Sequence, residues 1–495
     1  MFLKKLTAHN FKGFQGDNEI SFSVPDNQTA GSGLNVFVGE NNTGKSTIFE
    51  AIHFLRNGTT RDIEEITFKS NQTIDKTNDV RVEAEFVGNI SDIAQCYAEK
   101  KSKAFSDRLS ENAEDGELLR VRRGGNCPQN LKQIQLFNPS KNDFDNPSGI
   151  DAPFRALFDI NSIWADTNPQ DEAKFGSTTL CGNLLKAIAS NYSSSDEFKN
   201  FSDTFDDVFN NSSSLLRQQI EQIESQLNSI FSEQFGNSKV LFSFDPPTTD
   251  ILFKNVKIRL ENGDRVTDLA DEGMGLQRAV SLSLLQVYAN IVSTKPDMAK
   301  EKPFIFIIDE PEICLHPIGQ RKLLNSLLEI SKNQQVFIST HSPFFLEGDV
   351  LRNANLILCT KEGRCNKTRC YEKTENLFPW SPSWGEICFE AYNLPTVEFH
   401  NELYGHLQYL SNCYTERTFE NWLISQGIHP SKSWTREDKG NPQDPEDRTL
   451  PTFIRNKIHH PENKTMSSIK FSDEELFKSI KIMINLIRTV RQTAL

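Results

Sequence analysis

The sequence has few features of a membrane or secreted protein. None of its apolar runs approaches the roughly 20 residues that a membrane-spanning helix needs, and Met1–Leu6 leads into a strand-like pattern without the apolar core of a signal peptide. The nine cysteines are odd in number and irregularly spaced, which fits reduced thiols better than a disulfide framework. The gaps between Cys359, Cys365 and Cys370 do not form the C-x-x-C pairs of a zinc site. We therefore expect a cytoplasmic protein.

Excess positive charge is also missing. A net charge of −13 over 495 residues argues against a chain that coats nucleic acid indiscriminately. Any contact with nucleic acid must be local, for example around Arg120–Arg123 or at the C-terminal lysines and arginines.

The strongest motif present is a phosphate-binding loop. Gly39, Gly44, Lys45 and Ser46 form a complete G-x-x-x-x-G-K-S pattern between an apolar strand (34–38) and a helix-like segment. Its glycines let the backbone approach a polyphosphate, the lysine reaches the terminal phosphates and the serine hydroxyl can bind Mg²⁺. The residues predicted to bind ATP are Gly39, Glu40, Asn41, Asn42, Thr43, Gly44, Lys45, Ser46 and Thr47.

Two carboxylates and a histidine complete a site for hydrolysis. Phe304–Ile308 reads as a buried strand and ends in Asp309 and Glu310, and a second strand (335–339) is followed by His341. In a sheet that also ends at the phosphate loop, Asp309 would join Ser46 at the Mg²⁺ ion. Glu310 could polarise a water, and His341 could contact the γ-phosphate. Apart from the phosphate loop, each feature is common in ordinary proteins.

A glycine-rich turn opens a long apolar helix. Gly273, Gly275 and Gln277 lie where this helix (279–291) begins, so its positive end could contribute to the γ-phosphate of a second nucleotide across a dimer. The alternative is an ordinary helix N-terminus.

Strands alternate with helices through most of the first 375 residues, which predicts an α/β domain around a mostly parallel sheet flanked by helices. Residues from about 90 to 235 are polar and partly helical and are interpreted as an insertion. After a Trp/Pro/Ser linker (378–384), residues 385–495 read as an all-α domain interrupted by a loop at 432–449. The predicted helices of this domain span residues 386–412, 415–425, 450–460 and 472–492.

Together these motifs resemble the ABC-type ATPases of the SMC and overcoming-lysogenization-defect (OLD) group. In that comparison Gly39–Ser46 is similar to the Walker A motif, Leu269–Arg278 to a degenerate signature motif and Asp309–Glu310 to Walker B. Pro311–Pro317 is similar to the D-loop and His341 to the switch histidine. The resemblance covers residues 1–60 and 240–360. It implies that ATP and Mg²⁺ lie between the Walker A face of one subunit and the signature helix of another, in a homodimer or larger assembly.

Members of this group differ in the length of their coiled-coil arms and in the domain at their C-terminus. The 226 residues between Ser46 and Gly273 include only one short heptad-like stretch (214–230), so SMC-type coiled-coil arms are not expected. OLD nucleases carry an α/β Toprim domain with an acidic metal site, whereas this tail reads as helical.

Arg455 and His460 match the Arg-x4-His pattern of HEPN ribonucleases near the end of a helix limited by Pro461. There the histidine could exchange protons during attack of a 2′-hydroxyl, and the arginine could stabilise the developing charge. The alternative is a helix C-terminus at which histidines favour the dipole.

An ABC-type ATPase with a HEPN-like tail resembles the anticodon nucleases of phage defence. It also resembles PtuA, the ATPase of Septu and retron-linked Septu systems, which works beside the HNH nuclease PtuB. The first hypothesis is thus an antiviral ATPase that gates a nuclease, either its own tail acting on RNA or tRNA, or an HNH partner with retron RNA or DNA. The second is a RecF-like or SMC-like DNA-repair ATPase without intrinsic nuclease. In a third hypothesis, the tail serves only for oligomerisation or for docking a partner.

Overall fold

The computed structural model describes most of the chain, in two units. The described residues are 1–59, 63–67, 80–112, 116–124, 133–166, 195–235, 241–247, 258–293, 302–346, 352–438 and 440–493. One unit contains Met1–Trp164, Pro296–Glu312 and His316–Leu495, and the other contains Ala165–Lys295 and Ile313–Leu315. Among the helices that the structure describes, none combines the length and apolar character needed to cross a membrane.

The strands are numbered in chain order. They are β1 Phe2–His9, β2 Asp17–Ser21, β3 Leu34–Val38, β4 Arg81–Gly88, β5 Leu109–Asn112, β6 Gly116–Gly124, β7 Ile134–Asn138, β8 Asp143–Asp145, β9 Asp159–Ile163, β10 Arg259–Asn262, β11 Arg265–Asp268, β12 Phe304–Asp309, β13 Gln335–Ser339, β14 Asn355–Glu362, β15 Cys365–Cys370, β16 Lys432–Trp434, β17 Glu437–Asp438, β18 Asn441–Pro442 and β19 Glu446–Arg448.

The α-helices are numbered in the same way. They are α1 Lys45–Asn57, α2 Ile63–Ile66, α3 Ile90–Tyr97, α4 Ser102–Ser106, α5 Asp151–Ala156, α6 Asp196–Phe209, α7 Leu215–Phe235, α8 Met274–Ser293, α9 Pro317–Ile330, α10 Trp384–Tyr392, α11 Val397–Leu410, α12 Glu416–Ser425, α13 Leu450–His459 and α14 Asp473–Thr493.

The central sheet of the first unit has the order β15-β14-β3-β13-β12-β9. All neighbours are parallel except β14 and β15. Strands β3, β12 and β13 are buried at every position, as expected for strands covered on both faces. The predicted α/β class is confirmed. Because β13 lies between β3 and β12, the carboxyl ends of these three strands are neighbours at one edge.

A second sheet of the same unit is antiparallel, with the order β2-β1-β4-β6-β7-β8 and β5 paired to β6. It corrects the interpretation of residues from about 90 onwards as a partly helical insertion. Strands β5 to β8 belong to this sheet, and β9 is an edge strand of the central sheet. Their alternating polar residues suggested an insertion because one face of an antiparallel sheet can be exposed to water.

Buried polar side chains connect the two sheets to their surroundings. Gln335 at the start of β13 accepts a hydrogen bond from Leu3 N (2.8 Å) and donates one to Leu3 O (2.6 Å), so it links β13 to β1. Arg123 on β6 is 1% exposed, donates to Leu55 O at the end of α1 (2.8 Å) and pairs with Asp151 (3.1 Å). A charge buried this deeply is tolerated because it is paired.

The C-terminal region is mainly helical, as predicted, and has its own apolar core. Leu403, Leu407, Phe453, Ile480 and Ile487 are fully or almost fully buried in it. Two details differ from the prediction. The helix expected over 386–412 is interrupted at Asn393, which is left-handed (φ 51°), before α11 begins. The loop at 432–449 contains two short antiparallel pairs, β16 with β19 and β17 with β18.

The second unit contains α6, α7, the hairpin β10–β11 and α8. Residues 241–247 of this unit have no regular structure. The two longest helices that the structure describes in the predicted insertion, α6 and α7, belong to this unit.

A buried histidine makes the stability of the C-terminal region depend on pH. Burial, with a smaller contribution from His459, lowers the pKa of His400 to about 3, whereas an unfolded histidine titrates near about 6.5. Between these values the unfolded chain binds a proton that the folded chain does not. The free energy of unfolding should therefore fall as pH falls below about 6.5, by at most about 1.4 kcal/mol per pH unit from this group.

The test is the urea midpoint as a function of pH, followed by tryptophan fluorescence, because four of the five tryptophans lie between residues 380 and 434. His400→Gln should have a shallower pH dependence than the wild type below about pH 6.5. The exposed His429→Gln should keep the wild-type slope. Equal slopes for all three proteins would contradict the assignment.

Candidate active site

The phosphate loop follows β3 at the edge where β12 and β13 also end. Its backbone is left-handed at Gly39 (φ 155°), Asn42 (φ 64°) and Gly44 (φ 96°). A Cβ atom at Gly39 would lie 2.0 Å from the carbonyl oxygen of Cys359 on β14, so only glycine fits there. Helix α1 begins at Lys45, and its free N–H groups create the positive end that an anion requires.

Lys45 is buried inside the loop. Its Nζ atom donates to the carbonyl oxygens of Gly39 and Glu40, both at 3.0 Å. Burial lowers the pKa of Lys45, while the thiol of Cys359 and the nearby carboxylates oppose this shift. The ammonium group is therefore held by weak carbonyl partners, which phosphate oxygens could replace with stronger charge-assisted bonds.

A hydrogen bond joins the phosphate loop to the end of β12. Ser46 Oγ donates to Asp309 Oδ2 at 2.8 Å, although the two residues are 263 positions apart. Ser339 at the end of β13 donates its hydroxyl to the other carboxylate oxygen, Oδ1, and accepts a bond from Glu310 N (3.0 Å). Sequence reasoning missed Ser339. Its position as the last residue of a strand between β3 and β12 is the signal that could have found it.

These oxygens suit a magnesium ion. The Ser46 hydroxyl and the Asp309 carboxylate are hard ligands, and Mg²⁺ is commonly bound by one or two such groups with substrate phosphates and water completing its coordination. When bound there, Mg²⁺ would neutralise charge on the phosphates. Within the described part of the chain, His, Cys, Asp and Glu side chains do not gather in groups of three or more that could hold a metal ion.

Glu310 and His341 lie at the mouth of the site. Glu310 has a left-handed backbone (φ 49°), and its Oε1 atom is 3.7 Å from Nε2 of His341, with both side chains about one-third exposed (31% and 32%). Burial, and then the charge of Lys45, lower the pKa of His341, which favours a neutral imidazole. A carboxylate that can accept a proton from water thus lies beside a neutral hydrogen-bonding ring.

Glu312 fixes the backbone that carries His341. Its carboxylate accepts bonds from His341 N (2.6 Å) and from the Thr340 hydroxyl (2.9 Å). Burial raises the pKa of Glu312, and these hydrogen bonds oppose that shift. The sequence places Glu312 in the D-loop, but its partners could not be predicted because Thr340 and His341 lie 28 and 29 residues further along the chain.

The predicted signature residues belong to the second unit. There α8 begins at Met274, and an added Cβ atom at Gly275 would lie 2.6 Å from Cys314 O. Gln277 is buried and donates its side-chain amide to Glu272 O (2.7 Å). Met274 and Leu276 are exposed (60% and 46%). The role of Gly273, Gly275 and Gln277 at a second nucleotide stays a prediction.

The arginines of β6, a predicted place for nucleic acid, are engaged within the protein. Arg120 lies 3.6 Å from Glu85 and over the ring of Phe137 (4.4 Å). Arg122 donates to Gln135 (2.8 Å), and Arg123 is buried. These contacts argue against an open phosphate-binding patch on this strand.

Arg455 and His460 lie at the end of α13 and just beyond it. His460 is 44% exposed and its Nδ1 atom is 3.1 Å from Glu462. Arg455 donates to Asn456 Oδ1 (3.0 Å) and lies 3.8 Å from Glu416 Oε2. Asn456 is fully buried and donates to Glu416 Oε1 (3.1 Å). The histidine is thus accessible, while the arginine has a carboxylate partner. Their catalytic role stays a prediction.

Comparison with known proteins supports an ATPase domain over most of the chain. A family model described as an AAA ATPase domain matches residues 1–346. The chain is similar to the Old nuclease of Escherichia phage P2, at 28% identity over 382 residues, which cover 74% of this chain and 62% of that protein. It is also similar to the OLD nuclease of Thermus scotoductus, at 25% identity over 377 residues, which cover 73% and 62%.

A third similarity is short. A stretch of 55 residues is 46% identical to the DNA replication and repair protein RecF of Streptococcus gordonii, covering 11% of this chain and 13% of that protein. The chain spans less than two thirds of the length of the two nucleases.

Substitution of Ser339 tests the architecture of the metal site. Ser339→Ala removes the hydroxyl that orients Asp309, and loss of such an outer-shell partner typically costs roughly 10-fold to 100-fold in metal affinity or activity. We expect the Mg²⁺ concentration for half-maximal ATP hydrolysis to rise by about tenfold. Ser326→Ala, which removes a hydroxyl that donates to a backbone carbonyl within α9, should leave this concentration unchanged. An unchanged Mg²⁺ dependence of Ser339→Ala would show that Asp309 does not need this partner.

Proposed function

The chain belongs to the family of AAA ATPase domains, and we propose that it is an ATP-hydrolysing regulator of a nuclease in a prokaryotic antiviral defence system. The observation that carries the ATPase part is the 2.8 Å contact of Ser46 with Asp309. It joins the phosphate loop that follows β3 to the carboxylate at the end of β12, two strands away in the sheet. Glu310 and His341 lie beside this contact. Phosphoryl transfer needs mainly such positioning and charge stabilisation.

Each residue has a distinct role in this proposal. Lys45 and the backbone N–H groups of the loop hold the phosphates, while Ser46 and Asp309 hold Mg²⁺. Glu310 orients a water molecule and accepts its proton as the oxygen attacks the γ-phosphorus. His341, kept neutral by its surroundings, donates a hydrogen bond to the γ-phosphate. The products are ADP and phosphate.

ATP also joins two subunits in the proposal. The resemblance to ABC-type ATPases supports a homodimer or larger homo-oligomer in which Gly273, Gly275 and Gln277 of one subunit face the nucleotide of the other. The exposed start of α8, where an added side chain at Gly273 would meet no described atom within 4 Å, is consistent with such a surface.

Substitution of Glu310 is the first test. Glu310→Gln keeps the size of the side chain and removes the proton acceptor, so we expect ATP to bind with unchanged affinity while hydrolysis falls by at least about 100-fold. ATP should then stabilise the dimer, which size-exclusion chromatography with light scattering measures. The matched Glu362→Gln variant changes an exposed glutamate at the end of β14 and should retain hydrolysis. Normal turnover by Glu310→Gln would contradict the assigned role.

The nuclease part of the proposal rests on the relatives, which are named as nucleases, and on the tail. One route is cleavage of RNA or tRNA by the HEPN-like pair. His460 would exchange protons as a 2′-hydroxyl attacks the adjacent phosphodiester, and Arg455 would release Glu416 to stabilise the developing negative charge. The other route, suggested by the resemblance to the Septu ATPase, is an HNH nuclease partner that acts with retron RNA or DNA.

A substitution in the tail separates these routes. We expect expression of the intact protein to produce new RNA ends in cells, and His460→Ala to abolish them because general acid–base transfer contributes roughly 10²–10⁴-fold to such reactions. His429→Ala, an exposed histidine outside the motif, is the matched control. Sequencing of cellular RNA ends, with and without neighbouring gene products, is the measurement. Cleavage that survives His460→Ala would exclude the tail and favour a partner.

The short similarity to RecF favours one other candidate, a DNA-repair ATPase that binds DNA without cleaving it. This candidate predicts that DNA stimulates ATP hydrolysis and that neither RNA nor DNA is cut with any neighbouring protein present. The internal pairing of the β6 arginines and the net negative charge speak against a broad DNA-binding surface.

A further inference from the structure

The C-terminal region contacts the loop that carries His341. Tyr392, the last residue of α10, donates its hydroxyl to Thr340 O (3.3 Å). Its ring lies against the imidazole of His341, with the centroids 5.7 Å apart and the planes at 30°. One tyrosine from outside the family match therefore touches both residues that follow β13.

Two groups hold this loop from different elements. Glu312 binds His341 N and the Thr340 hydroxyl, whereas Tyr392 binds the Thr340 carbonyl and covers the His341 ring. Burial raises the pKa of the Tyr392 phenol, so the hydroxyl stays protonated and can donate. Glu312 of the D-loop thus fixes the backbone amide of His341, and Tyr392 of α10 packs against its side chain.

Helix α10 is itself anchored to the central sheet. Glu390 on this helix pairs with Arg369 of β15 (2.9 Å). Glu386 closes a capping box with Ser383 and accepts a bond from the hydroxyl of Tyr371, which follows β15 (3.3 Å). Both halves of α10 are therefore held by β15 and the residue that follows it, and Tyr392 joins the C-terminal end of the helix to the loop after β13.

We propose that Tyr392 is a positioning residue for His341 and that it couples the nucleotide site to the C-terminal region. The inference rests on the proposed ATPase function. A γ-phosphate that binds His341 changes the position of its ring and hence the packing of Tyr392 at the end of α10. By thermodynamic linkage, a ligand or partner that moves α10 changes the affinity for ATP by the same factor. The tail thereby senses the ATP state whichever nuclease it serves.

Steady-state hydrolysis of ATP by three variants tests the positioning role. Tyr392→Leu removes the ring and the hydrogen bond, so kcat should fall by roughly tenfold, as for a misplaced catalytic group, with the KM for ATP unchanged. Tyr392→Phe keeps the ring and should recover most of the rate. Tyr409→Leu, which changes a tyrosine of α11 that is 67% exposed, should behave as the wild type. A wild-type kcat for Tyr392→Leu would overturn the inference.

A double substitution tests whether the effect acts through His341. If it does, Tyr392→Leu should cause no further loss of kcat in a His341→Ala background, because the group that it positions is gone. If the double variant instead loses kcat by the product of the two separate factors, the inference is overturned. Thermal unfolding of each variant identifies a folding defect. If Tyr392→Leu unfolds, the hydrogen-exchange experiment described next still decides the inference, because it needs no substitution of Tyr392.

A binding experiment separates this inference from the proposed function. Hydrogen exchange of residues 384–392 is compared with and without a non-hydrolysable ATP analogue and Mg²⁺, in the wild type and in His341→Ala. Changed protection in the wild type that is lost in His341→Ala supports the coupling, and unchanged protection in the wild type overturns it. Failure of the wild type to hydrolyse ATP would instead refute the proposed ATPase, and the exchange result would still decide the coupling.

Discussion

The hydrogen bond between Ser46 and Asp309 is the contact on which the site depends. It requires that a loop at the start of the chain and a strand more than 250 residues later end at the same edge of one sheet. The parallel order β3-β13-β12 provides this arrangement, because parallel strands release their carboxyl ends on one side. Once β13 is placed between the other two, Ser339 must lie beside Asp309, and His341 must follow at the mouth of the site.

The charges around this contact are arranged so that each has a specific counterpart. Lys45 is held by carbonyl oxygens rather than by Asp309, which leaves the carboxylate to the hydroxyls of Ser46 and Ser339. A direct Lys45–Asp309 pair would occupy both groups that nucleotide and metal must bind. Glu312 takes no part in these contacts, because its carboxylate binds the Thr340 hydroxyl and the backbone N–H of His341. The site is therefore preorganised, which is where enzymes obtain much of their electrostatic stabilisation.

The sequence was sufficient to predict the elements whose apolar runs are continuous. The bounds predicted for β3 (34–38) and β13 (335–339) agree with the structure, and the α/β class followed from their alternation with helices. Strands β5, β7, β8 and β9 were missed because they have only three to five residues, too few for an apolar period to stand out. The nine-residue β6 does alternate apolar and charged residues from Leu119 to Arg122, and this alternation is the signal that could have identified it. The short pairs within 432–449 were missed because turn-forming residues dominate them.

The same limit applies to the site. Local motifs identified Lys45, Ser46, Asp309, Glu310 and His341, since each lies within a recognisable pattern. Ser339, Glu312 and Tyr392 act through contacts between elements, and such contacts depend on packing that no single-sequence pattern encodes. The basic run at 120–123 is a weak signal for nucleic-acid binding for a related reason. Its carboxylate and aromatic partners come from other strands, and pairing across strands determines whether a charge is available.

The position of Tyr392 bears on why a helical tail would accompany an ATPase of this kind. A nucleotide site can control a distant reaction when both sites bias the same structural element. Helix α10 meets this requirement, because Glu386 and Glu390 hold it to β15 and the residue that follows β15, and Tyr392 at its C-terminal end touches the loop of His341. The rest of the tail packs into a separate apolar core, and Phe389 of α10 packs against it, so a change at Tyr392 can be passed on to that core. Control of a nuclease by ATP would then need no contact between the nuclease and the nucleotide.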